Sequence, residues 1–256
     1  MSMRGGLALA FAVALSGSLL AQRGGPLPPA PARAIAPVDL TGYWVSLVTE
    51  DWRWRMMTPA KGDYASVPLN AEGARVADTW DPVQDEAAGE QCRSYGAPAI
   101  MREPGRLHIT WQDDDTLRID TDAGTQTRLF HFRKTGSDPR PGADPANPTW
   151  QGHSVALWET AGGGRRGAAP TLGGSLKVVT AGLRPGYLRK NGVPYSANTI
   201  LTEYYNATHE DNGDSWLIVT TVVQDPRYLN GRFFTSSHFK KLPNASGWKP
   251  TPCAAR

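Results

Sequence analysis

Charge of either sign is not concentrated anywhere in this chain. Its 27 Lys and Arg residues are balanced by 24 Asp and Glu residues, which leaves a formal net charge of +3. No basic block is longer than two residues, as at Arg165-Arg166 and Lys240-Lys241. Surfaces that bind nucleic acids are concentrated and basic, so the sequence predicts no partner of this class.

The motifs of several common enzyme classes are also absent. The chain has no Gly-x-Ser-x-Gly elbow, no HExxH zinc motif, no phosphate-binding glycine loop and no dinucleotide fingerprint. The run Gly162–Gly164 is followed by Arg165 rather than by Lys-Ser or Lys-Thr, which indicates a flexible connection. We therefore predict no cofactor.

Long apolar runs are confined to the N-terminus. Residues 1–21 combine Arg4, an apolar run over 7–20 and small residues around Ala21, a pattern typical of a secretory signal peptide. No later run approaches roughly 18 residues, so we predict no membrane span. The Ala, Gly, Arg and Pro bias is typical of a GC-rich bacterium. We predict a cleaved signal peptide and a periplasmic or extracellular location.

The rest of the chain divides into three parts. Residues 22–37 are rich in Pro, Ala, Gly and Arg without any apolar period, which predicts a disordered linker. Residues 38–243 predict one β domain, and residues 244–256 form a C-terminal tail.

Cysteine is nearly absent, since only Cys92 and Cys253 occur. Neither has a CxxC or CxxH neighbour, so a metal site built on cysteine is not predicted. In an oxidising compartment two lone cysteines are more often paired than idle. We predict a disulfide that ties the C-terminal tail to the domain, and the alternative is two unrelated thiols.

Alternation of apolar and polar residues is strongest from Arg106 to Phe132. Turn residues at 113–115 and at Ala123-Gly124 divide this stretch into three strands of an antiparallel meander. Tight turns would pair residue 108 near 120 and residue 118 near 128, which fixes the two faces. The apolar face would carry Leu107, Ile109, Trp111, Leu117, Ile119 and Leu129, and the polar face would carry His108, Thr110, Arg118, Asp120, Gln126 and Arg128.

Strand patterns continue through the remainder of the chain. Nine Trp, eight Tyr, 27 Gly and 21 Pro suit a β framework with many turns and large interior side chains. We count about nine or ten strands with short connections, and one helical pattern from Asn70 to Trp80 that ends before Pro82. We predict an all-β fold, either an antiparallel up-and-down barrel or a strongly curved sandwich, with one short helix.

Two resemblances accompany this pattern. Gly42-Tyr43-Trp44 resembles the Gly-x-Trp of lipocalin-like barrels, which implies an up-and-down barrel around a ligand cavity. The stretches TWQGHSVALWE, LRPGYLRKNGVPYSANTILTEYY, DPRYL and SSHFKK resemble a group of secreted proteins of soil bacteria, over about Asp39 to Lys241. That resemblance implies secretion and a β fold, and it assigns no catalytic residue.

The polar face of the meander is the first candidate site. If it lines a cavity, Arg128 can anchor an anionic group, and the other ligand contacts would be Gln126, Asp120 and Glu203. His153 or His108 would supply any general acid–base chemistry. The alternative is a solvated outer face on which charges pair across strands.

A second candidate site would apply if that face is solvated exterior. Trp52 and Trp54 alternate with Arg53 and Arg55 over Asp51 to Met57, as in a strand at a barrel rim or in a stacking and anion-binding surface. The loop around Tyr187 adds an aromatic, basic lid made of Arg184, Tyr187, Arg189 and Tyr195. A packed surface loop is the other interpretation.

Histidine offers no metal motif. His108, His131, His153 and His238 lie in separate predicted strands, and no Asp or Glu lies two residues from any of them. We therefore predict no metal site. The composition and fold favour a protein that binds a small, partly apolar and possibly anionic molecule in its cavity. The alternatives are an enzyme, acting as a hydrolase, lyase or isomerase, and a structural envelope protein. The oligomeric state is left open.

Overall fold

The computed structural model describes residues 30–133, 147–160 and 173–256. The predicted signal peptide, residues 22–29 of the predicted linker and the run Gly162–Gly164 lie outside them. None of the helices in the described residues has the length and apolar character needed to cross a bilayer.

The described residues contain eleven strands. They are β1 (Gly42–Leu47), β2 (Arg106–Asp113), β3 (Thr116–Thr121), β4 (Gln126–Phe132), β5 (His153–Thr160), β6 (Gly174–Ala181), β7 (Gly186–Arg189), β8 (Val193–Tyr195), β9 (Ile200–His209), β10 (Ser215–Gln224) and β11 (Phe233–Leu242). Nine of them close into a barrel in the order β1, β11, β10, β9, β6, β5, β4, β3, β2. The predicted all-β barrel is confirmed. It departs from a simple up-and-down pattern because β4 and β5 are parallel.

Side chains fill the apolar part of the barrel. Alternation directs every second residue of each strand inward, as with Trp44 on β1, Ile109 on β2 and Phe130 on β4. These three side chains, with Leu176 and Tyr205, have no exposed surface. A water-sized space beside a side chain would leave part of it exposed. The predicted ligand cavity is therefore not found among these residues.

The register of β4 differs from the prediction and reverses its two faces. Arg118 lies opposite Leu129 and Ile119 lies opposite Arg128, whereas tight turns had predicted Arg118 near residue 128. Ala123–Thr125 form a 3-10 turn in which both Gly124 and Thr125 have positive φ. A shift of one residue moves every side chain to the other face. Gln126 and Arg128 therefore point inward, and Leu129 points outward with Arg118.

Gly124 is required for this turn, and its replacement by alanine tests the register. Its φ is 71°, and an added Cβ would lie 2.3 Å from the Tyr95 ring. Left-handed backbone alone costs a non-glycine residue roughly 1–2 kcal/mol, so we expect Gly124→Ala to lower the free energy of unfolding by at least about 1 kcal/mol. Gly62→Ala is the matched control, because Gly62 also has positive φ but no atom within 4 Å of the added Cβ. Equal losses in urea unfolding of both variants would show that the contact with Tyr95 is unimportant.

One end of the barrel is covered by the chain that leads into β1. The Ala32 backbone N–H donates to the Asp115 carboxylate at 2.8 Å, and the Trp158 indole N–H donates to the Ala32 carbonyl at 2.9 Å. The described part of the segment predicted as a linker, residues 30–37, thus contacts the barrel at Ala32.

The other end is covered by a larger cap. The cap contains the β7–β8 hairpin and the helices α1 (Trp52–Arg55), α2 (Ala71–Ala77), α3 (Pro82–Ala87) and α4 (Ala97–Ile100). The predicted helix from Asn70 corresponds to α2, which Asn70 caps by accepting from the Gly73 N–H at 2.8 Å. Pro82 begins α3 rather than only ending the helix before it. The predicted disulfide Cys92–Cys253 is confirmed, and it ties the C-terminal tail to the segment that carries the cap.

Residues 52–55 form a helix, so the prediction of a strand there was wrong. Asp51 starts it in the left-handed conformation, with φ 50°. Arg55 is buried by contacts that sequence alternation does not reveal: it donates to Glu50, to the Ser46 hydroxyl at 3.2 Å and to the Arg102 carbonyl at 2.8 Å. These tertiary contacts override the local pattern.

Candidate functional site: an arginine pocket in the cap

The inward-facing polar residues of the barrel form a closed network. Arg128 donates to both carboxylate oxygens of Glu203, at 2.9 and 2.6 Å, and to the Tyr205 hydroxyl at 3.3 Å. Both charged side chains are fully buried. Burial opposes the charge of Arg128, but the Glu203 carboxylate outweighs it and raises the pKa of the guanidinium. Arg128 and Glu203 thus hold each other, and they do not face an open cavity.

Gln126 has a similar structural role at the cap end of the barrel. Its side-chain amide donates to the Gly124 carbonyl at 2.6 Å, and its side-chain oxygen accepts from Gln151 at 3.0 Å. These bonds hold the 3-10 turn.

The structure separates the predicted histidines from Arg128. His108 lies on the outer face, where its ring stacks on Tyr43 at 4.1 Å. His153 also lies outside, with its ring 5.3 Å from that of His131. Burial and the charge of His131 lower the pKa of His153. The interpretation of a solvated outer face therefore applies to both histidines.

Asp120 belongs to the same outer face. It accepts from Arg118 at 2.8 and 2.9 Å. Partial burial opposes its charge, but the hydrogen bonds from Arg118 and Thr127 outweigh burial and lower the pKa of Asp120.

The second predicted region does contain a pocket, in the cap. It lies between α1, the end of β7 and the residues that follow α4, and it measures about 20 Å³. That volume holds roughly one water molecule, or one end of a small anion. Its lining is Trp54, Arg55, Met57, Arg102, Glu103, Leu188, Arg189 and Lys190. We call it the arginine pocket.

Arg189 is the unusual residue of the arginine pocket. Its side chain is inserted between the hairpin and α1, and the residue is only 4% exposed. It donates to the Ala65 carbonyl at 2.8 Å and to the Ser66 hydroxyl at 2.9 Å. Among the described residues no carboxylate lies within 4 Å of its guanidinium, and its Nε has no partner. Burial and the nearby charge of Arg102 lower the pKa of Arg189 to about 10.

The other cations of the pocket have counterions. Arg55 pairs with Glu50, Arg102 pairs with Asp51 at 3.0 Å, and Lys190 pairs with Glu103 at 2.7 Å. Burial raises the pKa of Glu103, against the effect of Lys190. Four cations and three carboxylates thus leave one positive charge without a counterion. Because the other three cations are paired, this charge belongs to Arg189.

The segment that contributes Trp54, Arg55 and Met57 to the arginine pocket also carries exposed apolar side chains, which we call the rim. Trp52, Met56 and Met57 are 65%, 59% and 73% exposed. The Trp54 ring contacts two guanidinium groups, with Arg189 at 4.8 Å and Arg53 at 5.2 Å from its centre. Trp54 and Met57 line the pocket, whereas Trp52 and Met56 are exposed side chains of the same segment.

Tyr187 is fixed inside the cap and does not line the pocket. Its hydroxyl donates to Asp85 at 2.9 Å and accepts from Arg93 at 3.0 Å. Burial and Asp85 raise the pKa of Tyr187 to about 12. The loop predicted as a lid is the β7–β8 hairpin, and it contributes Arg189 and Lys190 to the pocket.

A wider groove of about 500 Å³ lies elsewhere in the cap. Its lining includes Lys61, Asp81 and the C-terminal Arg256. We place the site at the smaller pocket because its cations are buried, whereas the groove is open. Within the described residues, no group of three His, Cys, Asp or Glu side chains is arranged to hold a metal ion.

Comparisons with protein-family models, curated proteins and solved structures found no match to this chain.

Proposed function

We propose that this protein binds a small amphiphilic anion, with a carboxylate in the arginine pocket and an apolar portion on the rim. The observation that carries this proposal is Arg189, a buried guanidinium that has no carboxylate partner among the described residues. Burying a charge costs several kcal/mol unless an opposite charge compensates it. A ligand carboxylate can supply that charge and accept from the unpartnered Nε.

The location of the site distinguishes this proposal from a ligand in the barrel lumen. The apolar residues of the lumen are packed and its ionic residues pair with each other. A filled lumen is also what a purely structural barrel would have. Arg189 and the exposed rim favour a binding protein over a structural one, because the neutral hydrogen-bond acceptors of Ala65 and Ser66 do not compensate the buried charge of Arg189.

We further propose that the protein acts outside the cytoplasm of a bacterium. The Cys92–Cys253 disulfide supports this location, because such bonds persist mainly in oxidising compartments. The apolar N-terminal run and the resemblance to secreted proteins of soil bacteria are further support.

Calorimetric titration with octanoate tests the binding proposal. We expect Arg189→Gln to weaken octanoate binding by about 10- to 100-fold, because it removes a charge-assisted hydrogen bond worth roughly 1.5–3 kcal/mol. Octanamide has the same shape without the charge, and we expect it to bind the unchanged protein at least tenfold more weakly.

Arg53→Gln is the matched control. Arg53 also contacts the Trp54 ring, but its side chain is 63% exposed and pairs with Asp63. We expect the Arg53 variant to bind octanoate within about twofold of the unchanged protein, because an exposed ion pair contributes little. Equal losses in the two variants, or equal affinity for octanoate and octanamide, would contradict the proposal.

A further inference from the structure

An oriented chain of hydrogen bonds lies on the outer face of the barrel, where β1 meets β11. It contains Thr49, Glu50, Ser236 and His238. The Thr49 hydroxyl lies 2.6 Å from a Glu50 oxygen and 2.8 Å from His238 Nδ1. The Ser236 hydroxyl lies 3.2 Å from the other ring nitrogen, His238 Nε2. Ser236 and His238 share a face because they are two residues apart on one strand.

The carboxylate fixes the direction of every bond in this chain. An ionised Glu50 only accepts, so Thr49 must donate its single hydroxyl proton to it. The Thr49 oxygen then accepts from His238, which places the imidazole proton on Nδ1. His238 Nε2 is left with a lone pair. The Ser236 hydroxyl therefore donates its hydrogen to Nε2. Glu50 also lies 3.4 Å from Nδ1, where it stabilises the ring when Nε2 gains a proton.

Glu50 is itself held by a buried residue. Its second oxygen accepts from Arg55, whose side chain is 1% exposed. The carboxylate therefore has a fixed position, whereas exposed acids usually sample many. This arrangement contains a serine, a histidine and an oriented acid, the three groups of a catalytic triad. A triad is recognised by its geometry rather than by the order of its residues in the chain.

The surroundings of Ser236 suit an ester with an apolar group. Phe234 lies two residues earlier on the same face and is 60% exposed. β1 pairs with β11 only from His238 onward, so none of the described strands pairs with residues 233–237 on that side. Alternate residues of an antiparallel strand direct their N–H groups to one side. Backbone donors on this open edge can stabilise a developing oxyanion.

We propose that Ser236 is a nucleophile that hydrolyses small apolar esters, with His238 as its general base. Ser236 Oγ adds to the ester carbonyl carbon while its proton passes to His238 Nε2. The ester C–O bond then breaks, the proton passes from Nε2 to the departing alkoxide, and an alcohol leaves. Water adds to the acyl-serine with its proton taken by Nε2, and Ser236 recovers that proton as the carboxylic acid leaves. Thr49 and Glu50 are positioning residues.

This activity is independent of the anion proposal, although the two sites share Glu50 and Arg55. The product of the reaction is a small apolar carboxylate, the chemical class that the arginine pocket is proposed to bind. A negative result for one of the two proposals does not contradict the other.

Labelling with an alkyl fluorophosphonate, followed by peptide mass spectrometry, tests the proposal on the unchanged protein. We expect one adduct per chain, on Ser236, and turnover of p-nitrophenyl butyrate that this adduct abolishes. His238→Gln should slow labelling by about 100-fold or more, the usual contribution of a general base. No adduct on Ser236, or labelling at the same rate in the His238 variant, would overturn the proposal.

A second serine–histidine pair supplies the matched control. Ser215 lies 2.7 Å from His209 Nδ1, and in the described residues no carboxylate lies within 4 Å of His209. Ser215→Ala should leave labelling and turnover unchanged. Thr49→Val should lower kcat at least tenfold with little change in KM, and Thr49→Ser should restore it, since only the hydroxyl sets the imidazole tautomer. An equal loss in the Val and Ser variants would contradict the role of Thr49.

Discussion

Replacing Arg128 with methionine should lower the free energy of unfolding by about 3–5 kcal/mol. The guanidinium and the Glu203 carboxylate are both fully buried and form two hydrogen bonds, at 2.9 and 2.6 Å. Methionine fills similar space but leaves Glu203 as an uncompensated charge inside the barrel. Urea unfolding followed by tryptophan fluorescence measures the loss.

Two further variants separate the charge effect from packing. Arg118→Met removes an arginine from the neighbouring strand, but Arg118 is 42% exposed and pairs with Asp120 on the outer face. We expect that variant to lose less than about 1 kcal/mol. Adding Glu203→Leu to Arg128→Met should recover much of the stability, since replacing both ions with apolar groups is often neutral. No recovery in the double variant would attribute the loss to packing around Arg128.

Removing the Cys92–Cys253 disulfide should lower the free energy of unfolding by a similar amount. The two cysteines are 161 residues apart, and in the chain-entropy model closing a loop of this length contributes on the order of 4–5 kcal/mol. The disulfide also holds the tail where Thr251 donates to the Asp122 carbonyl at 2.8 Å. We expect the variant with serine at both positions to unfold at lower urea concentration than the disulfide-bonded protein.

Reductant provides the control for the disulfide. The unchanged protein should lose stability when dithiothreitol is added before unfolding, and the double serine variant should not respond. Equal midpoints of unfolding for the oxidised and reduced protein would show that packing alone holds the tail and the cap together.

The sequence predicted the barrel strands better than the site. Strands β2 and β3 alternate cleanly, so their positions followed from local pattern. The local pattern did not predict which face of β4 points inward, because two residues of positive φ in the turn at 123–125 shift the register by one. No compositional signal marks that shift, and it moved Arg128 from a predicted ligand site into the core.

The arginine pocket was predictable only in part. Trp54, Arg55 and Arg189 were singled out as aromatic and basic residues, although in a strand and a loop rather than in a helix and a hairpin. Arg102 and Glu103 were missed because they follow a buried helix and have no periodic neighbours. The pocket joins three segments that are distant in sequence, and side-chain burial is what makes Arg189 distinctive.

Anomalous diffraction from crystals soaked with 8-bromooctanoate is the most direct test of the proposed site. We expect a carboxylate beside Arg189 Nε and a bromine peak over the rim formed by Trp52, Met56 and Met57. Soaked crystals of Arg189→Gln should show no peak at that position. A ligand inside the barrel or in the groove beside Arg256, with the arginine pocket empty, would contradict the proposed function.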